Sequence, residues 1–103
     1  LKIVNSALVD MTGNVIKSGD VDLTVAIVLV NCALSPTPDG KTRSKSEVAS
    51  RYDLALRLNA LKLGESIDIP VEMVAQFTDD VLRVYTTIIA GQMLPILDGQ
   101  TVN

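Results

Sequence analysis

Four side chains near the start of the sequence, Asp10, Asn14, Asp20 and Asp22, carry oxygen atoms of the kind that hold calcium. A calcium loop needs such residues at alternate positions of one short run with a glycine at its bend, so that the chain wraps the ion. These four do not keep that spacing, and turn formation is the expected use of each. Gly40-Lys41-Thr42 is similar to the tail of a phosphate-binding loop, in which backbone N–H groups and a lysine cradle phosphate. The required earlier glycine is Ser35 here, and the segment follows a predicted helix where it should follow a strand, so the motif is rejected. Asp79 and Asp80 could serve as paired carboxylates, but adjacent residues on a helix point apart, and both are expected to be solvated. Histidine is absent, which removes the commonest general base and the commonest zinc ligand together. The single Cys32 lies within an apolar run and reads as a small buried hydrophobe rather than a reactive thiol. The chain is therefore expected to have no catalytic activity and to hold neither metal nor cofactor.

Two features remain that could recognise something. Lys41, Arg43 and Lys45, extended by Arg51, form a candidate basic patch that could meet phosphates or an acidic partner, against the plainer reading of a solvated loop. A net charge of -3 and a pI near 4.7 argue against a general nucleic-acid binder, which would carry an excess of Lys and Arg. The second feature is the apolar fraction of 48%, high for one small core to hide, so surplus apolar surface calls for a partner.

These residues must be positioned by one domain spanning residues 1–103, long enough to bury roughly two-thirds of its unfolded surface. The continuous apolar run LTVAIVLVNCAL predicts a central helix over 23–34, with Asp22 or Thr24 as cap and Pro36 as stop. Only Thr24 and Asn31 interrupt it, so it is expected to be buried on all sides; it falls short of the roughly 20 apolar residues of a membrane span. Before it, residues 3–17 predict a β-hairpin around the DMTGN turn, followed by the SGD turn at 18–20. After it, 35–44 is a solvated loop, and Ser44 to Glu47 is a capping box that opens a helix over 45–62. On that helix Val48, Tyr52, Ala55 and Leu56 form one apolar stripe and Leu54, Leu58 and Leu61 a second, with Gly64 as its end. Ile67 to Ile69 alternates like a strand that could join the hairpin, and Pro70 opens a helix over 70–84. The last helix covers 87–97, with Pro95 expected to kink or shorten it and residues 100–103 expected to fray. The fold class is thus mainly α with a small β element (α+β): an N-terminal β-hairpin packed on a bundle of about four helices.

The stretches DMTGN, DLTVAIVLVNCAL, SEVASRYDLALRLNA, IDIPVEMVAQF and IIAGQMLPILDG resemble, in order and spacing, a family of short phage and prophage proteins. In that family a D-x-x-G turn precedes L-T-L-G-D-V-L-V-N-A-L, a helix carries K-R-Y/F-x-L-A-L-K-I, and the C-terminal helix carries V-x-G-Q. Leu23, Thr24, Val28, Leu29, Val30 and Asn31 match the second block, and Ala33 and Leu34 match its end if Cys32 is one inserted residue. Arg51, Tyr52, Leu54, Ala55 and Leu56 match the third, and Gly91 and Gln92 the last. Ala26-Ile27 stands where the family often has Gly-Asp, so a role for that acidic position is not carried over. The resemblance implies a phage-encoded protein in the bacterial host cytoplasm or the virion, and implies no activity.

The expected function is a small interaction module that binds a host or phage protein, or a second copy of itself. The alternative is a nucleic-acid-associated regulator using the basic patch; no membrane association is expected. The candidate interface lies on the last helix, where Ile88, Ile89, Met93 and Leu94 point to more than one side, flanked by Tyr85 and Gln92. Gly91 would let a neighbouring helix approach, and a two-fold homodimer is the simplest arrangement.

Overall fold

The structure is a computed structural model that describes residues 1–37 and 39–99; the expected fraying of 100–103 lies outside the described residues. Four helices and two small two-stranded antiparallel sheets make an α+β fold. The elements are β1 (Lys2–Val4), β2 (Lys17–Ser18), β3 (Val21–Asp22), α1 (Val25–Leu34), α2 (Lys45–Asn59), β4 (Ser66–Asp68), α3 (Val71–Val84) and α4 (Thr87–Leu97). No helix among the described residues is long and apolar enough to cross a membrane.

The β structure is distributed differently from the expected hairpin over 3–17. β1 pairs with β4, Ile3 opposite Ile67, so the strand at the start closes against one that follows α2. The DMTGN turn is held by Asp10, and a single bridge links Val9 to Val15 across it, while the regular hairpin is β2–β3 around the SGD turn. A ring of three backbone bonds, Leu8 N–H to Leu23 O, Ile16 N–H to Leu8 O and Leu23 N–H to Ile16 O, ties these pieces together.

Thr24 caps α1, its Oγ1 accepting from Ile27 N–H at 3.2 Å. A second free N–H of that end, on Ala26, donates to Oδ1 of buried Asn5 at 2.9 Å, and Asn5 Nδ2 donates to Leu61 O. Asn5 thus fastens β1 to the start of α1 and to the segment after α2, which is why a polar residue is only 3% exposed there. Gly64, at φ +85, donates its N–H to Asn5 O and turns the chain into β4; α2 itself has already ended at Asn59.

α1 is the hub against which α2 and α3 pack, with Val28, Leu29 and Cys32 fully buried. It is not buried on all sides as the apolar run predicts: Asn31 and Leu34 are exposed, and Ile27 and Val30 are half-buried. On α2 the buried set is Arg51, Leu54, Ala55 and Leu58, so of the first predicted stripe only Ala55 is inside. α4 continues through Pro95 to Leu97, in contrast to the expected early end, although Pro95 has no N–H to give to Gly91 O.

Candidate interaction surface

Three arginines converge on the C-terminal end of α1, where unpaired carbonyls carry the negative end of the helix dipole. Arg51 Nη1 donates to Cys32 O at 3.1 Å, Arg43 Nη1 to Ser35 O at 2.6 Å, and Arg83 Nη2 to Pro36 O at 3.3 Å. Asp80 joins them, bonding Arg51 at 3.3 Å through one carboxylate oxygen and Arg83 at 2.9 Å through the other. Arg51 also donates to Gln76 Oε1 at 2.6 Å and lies over the Phe77 ring, 5.9 Å from its centroid. Its Nε is buried with no acceptor.

Two expectations are corrected by this cluster. Arg51 is not a surface member of the basic patch but a buried cation, 5% exposed, and Asp80 is likewise 5% exposed rather than solvated. The physical reason is packing against a third element: the end of α1 closes over one flank of α2 and of α3, and each charge is kept there by its hydrogen bonds. A signal was present in the chain. Arg51 stands at the first position of an i, i+3, i+4, i+7 set completed by Leu54, Ala55 and Leu58, which makes it the one charged residue on a core face.

Burial, with Asp80 adding to it, pushes the Cys32 thiol up from 9.0 to about 12, so it stays protonated and unreactive near neutral pH. Among the described residues no group of His, Cys, Asp or Glu is arranged to hold a metal ion. Asp10 is used as a turn residue: its Oδ1 accepts from Thr12 Oγ1 at 2.6 Å, Thr12 N–H at 2.9 Å and Asn14 N–H at 3.1 Å. Asp20 and Asp22 belong to the β2–β3 hairpin, where Lys17 pairs with Asp22 at 3.4 Å.

The other patch residues stay on the surface. Lys41 pairs with Asp39 at 3.6 Å in an exposed loop, Arg43 is half-buried, and Lys45 begins α2. Ser44 caps that helix, its Oγ accepting from Glu47 N–H at 3.2 Å as the capping box predicts, while the Glu47 carboxylate reaches back to Ser44 Oγ at 3.3 Å rather than to the Ser44 N–H.

The candidate interface on α4 survives only in part. Met93 is fully buried inside this chain and cannot meet a partner, because the face that carries Ala90, Met93 and Leu97 is the one that enters the core. Tyr85, Ile88, Ile89 and Leu94 are half-buried, with Tyr85 Oη accepting from Asn31 Nδ2 at 2.8 Å. Burial pushes the Tyr85 phenol up, and that hydrogen bond opposes the shift. Gln92 is committed internally: Nε2 donates to Val9 O and Oε1 accepts from Val9 N–H, so its amide pairs with the chain as a neighbouring strand would. Gly91 is exposed, and a Cβ there would meet nothing within 4 Å, so no close approach within this chain requires the glycine.

A different apolar surface lies on α2, where most of the first apolar stripe turns outward. Val48, Tyr52 and Leu56 are 53%, 51% and 57% exposed, and a four-residue spacing sets them on one flank of the helix. Leu34, 62% exposed at the end of α1, borders a cleft shared with Ala33, Arg43, Val48, Arg51 and Tyr52. A comparison with protein-family models, with curated proteins and with solved structures finds no match for this chain.

Proposed function

We propose that this chain is a non-catalytic protein–protein interaction module whose contact surface is the outer flank of α2 together with Leu34. The observation that supports it is the clustering of four large apolar side chains, each more than half exposed, around one helix face. Single exposed apolar residues are ordinary, whereas a contiguous set marks a surface used by a partner. Elsewhere such residues gather in smaller numbers: Val21 and Leu63 form a pair at a cleft shared with Lys17, Asp20 and Asp22, Met11 borders a cleft with Val9 and Ile88, and Val71 and Leu82 are about three turns apart on α3. The resemblance to short phage and prophage proteins supports a setting in an infected bacterium, where a host or phage protein in the cytoplasm or the virion would be the partner.

A photo-crosslinking amino acid at position 52, with a control at Glu72, exposed on α3, tests the reading in bacteria that express the protein. A defined adduct at 52 and not at 72 is expected. The purified partner should then bind wild type and lose at least roughly ten-fold in affinity for Val48→Glu, which corresponds to one well-packed apolar contact. Absence of any adduct specific to 52 refutes the reading.

A further inference from the structure

The stripe on α2 has unequal ends. At its C-terminal end charge is already cancelled, because Asp53 and Arg57 pair with each other at 3.1 Å. At its N-terminal end charge is not: neither Arg43 nor Lys45 has a carboxylate partner among the described residues. Lys45 opens α2, where the helix dipole already presents positive charge, and a cation there is placed against the local field. Burial makes the protonated form of Arg43 harder to hold and the nearby Arg51 adds to this, while Asp80 and Glu47 partly offset them without forming an ion pair. Arg51 borders the same cleft, but Asp80 balances its charge, so the surplus rests on Arg43 and Lys45. Positive charge thus accumulates at one end of an apolar groove.

Resting on the interaction-module reading, we propose that the occupant is a helical segment of another protein that is apolar on one side and acidic where it meets Arg43 and Lys45. Its apolar residues cover Leu34, Val48 and Tyr52, and its carboxylates take the place that no group of this chain fills. A second copy fits less well. Laid antiparallel along α2, it would bring Asp53 towards Arg43 and Lys45 together with Arg57, a pair that carries no net negative charge. Laid parallel, it would bring like charges together. Nucleic acid would satisfy the cations but leave the apolar stripe uncovered.

The probes are a synthetic amphipathic peptide of about five helical turns with a leucine face flanked by glutamates, the same peptide with lysines for glutamates, and a short DNA duplex. Affinity is read by fluorescence anisotropy, and the site by chemical-shift changes. The glutamate peptide is expected to bind in the micromolar range, to shift Leu34, Val48, Tyr52 and Leu56, and to bind at least roughly ten-fold more tightly than the lysine peptide. Lys45→Glu, at a residue whose side chain makes no hydrogen bond among the described residues, should weaken the glutamate peptide by a similar factor, and high salt should do the same. Equal or tighter binding of the lysine peptide to the same residues overturns the acidic assignment while supporting the interaction surface itself. If neither peptide shifts these residues, the proposal fails, and the crosslink at position 52 separately decides the wider reading. Salt-sensitive DNA binding lost in Lys45→Glu, or shifts of the stripe on simple dilution, overturns it in favour of nucleic acid or self-association respectively.

Discussion

Replacing Asp80 by asparagine keeps the shape of the side chain and removes the one negative charge between Arg51 and Arg83. The Arg51–Asp80 pair is 3.3 Å apart with both side chains 6% exposed, so at an effective dielectric of about 20 its gross attraction is about 5 kcal/mol. The Arg83 contact is shorter, 2.9 Å, but Arg83 is 32% exposed and water screens it, so it contributes well under its Coulomb value. Asp80→Asn leaves Arg51 as a buried cation whose remaining partners, Cys32 O and Gln76 Oε1, are neutral. Orphaning one member of a buried pair typically costs about 3–5 kcal/mol, and these two acceptors hold the loss to about 3. That is a large part of the roughly 5–15 kcal/mol available to a domain of this size. Urea unfolding followed by circular dichroism should show the lower midpoint with an unchanged slope, and heating should show Tm lowered by roughly 12–24 °C. Arg51→Met in the Asp80→Asn background removes the orphan and should restore about half of the loss, so the two changes are strongly non-additive. An Asp80→Asn variant within about 1 kcal/mol of wild type, or simple additivity with Arg51→Met, would refute the view that this pair is a buried, mutually dependent unit.

Gly91→Ala should stabilise the fold by about 0.5–1 kcal/mol, because Gly91 is helical and a Cβ there meets open space, as urea midpoints would show. Gly64→Ala should do the opposite by about 1–2 kcal/mol: the space is equally open, but φ is +85, so the cost is conformational alone. For Cys32 the folded-state value lies above the ordinary one, so the native chain keeps a proton that the unfolded chain loses; stability should fall as pH rises from 9.0 toward about 12. The difference between wild type and Cys32→Ala in urea midpoints across that range isolates the effect. Hydrogen bonds from Thr12 Oγ1, then Thr12 N–H and Asn14 N–H, hold Asp10 below its ordinary 3.8, so the turn is supported above that pH and loosens as pH falls through the folded value. Carbon NMR titration of Asp10 should show the depressed value, and Thr12→Val should move it upward.

Spacing alone determined the helices, because helix periodicity, caps and stops are local. Thr24, the Ser44 to Glu47 box, Pro70 and the 87–97 pattern set α1, α2, α3 and α4, with starts and ends read to within a few residues. The central place of α1 also followed from its composition. The tertiary structure decided which of two apolar stripes on α2 turns inward, since Val48, Tyr52 and Leu56 are no less apolar than Leu54, Ala55 and Leu58. It decided the pairing of β1 with β4 as well, a contact between residues far apart in the chain that two very short strands do not announce. Above all it decided the fate of the charges. A sequence shows that Arg51 and Asp80 are ionised side chains; only the meeting of α1, α2 and α3 shows that they face each other out of water, and that Arg43 and Lys45, beside them, have no carboxylate partner among the described residues. Electrostatic energy depends on distance and burial, neither of which is local to the chain.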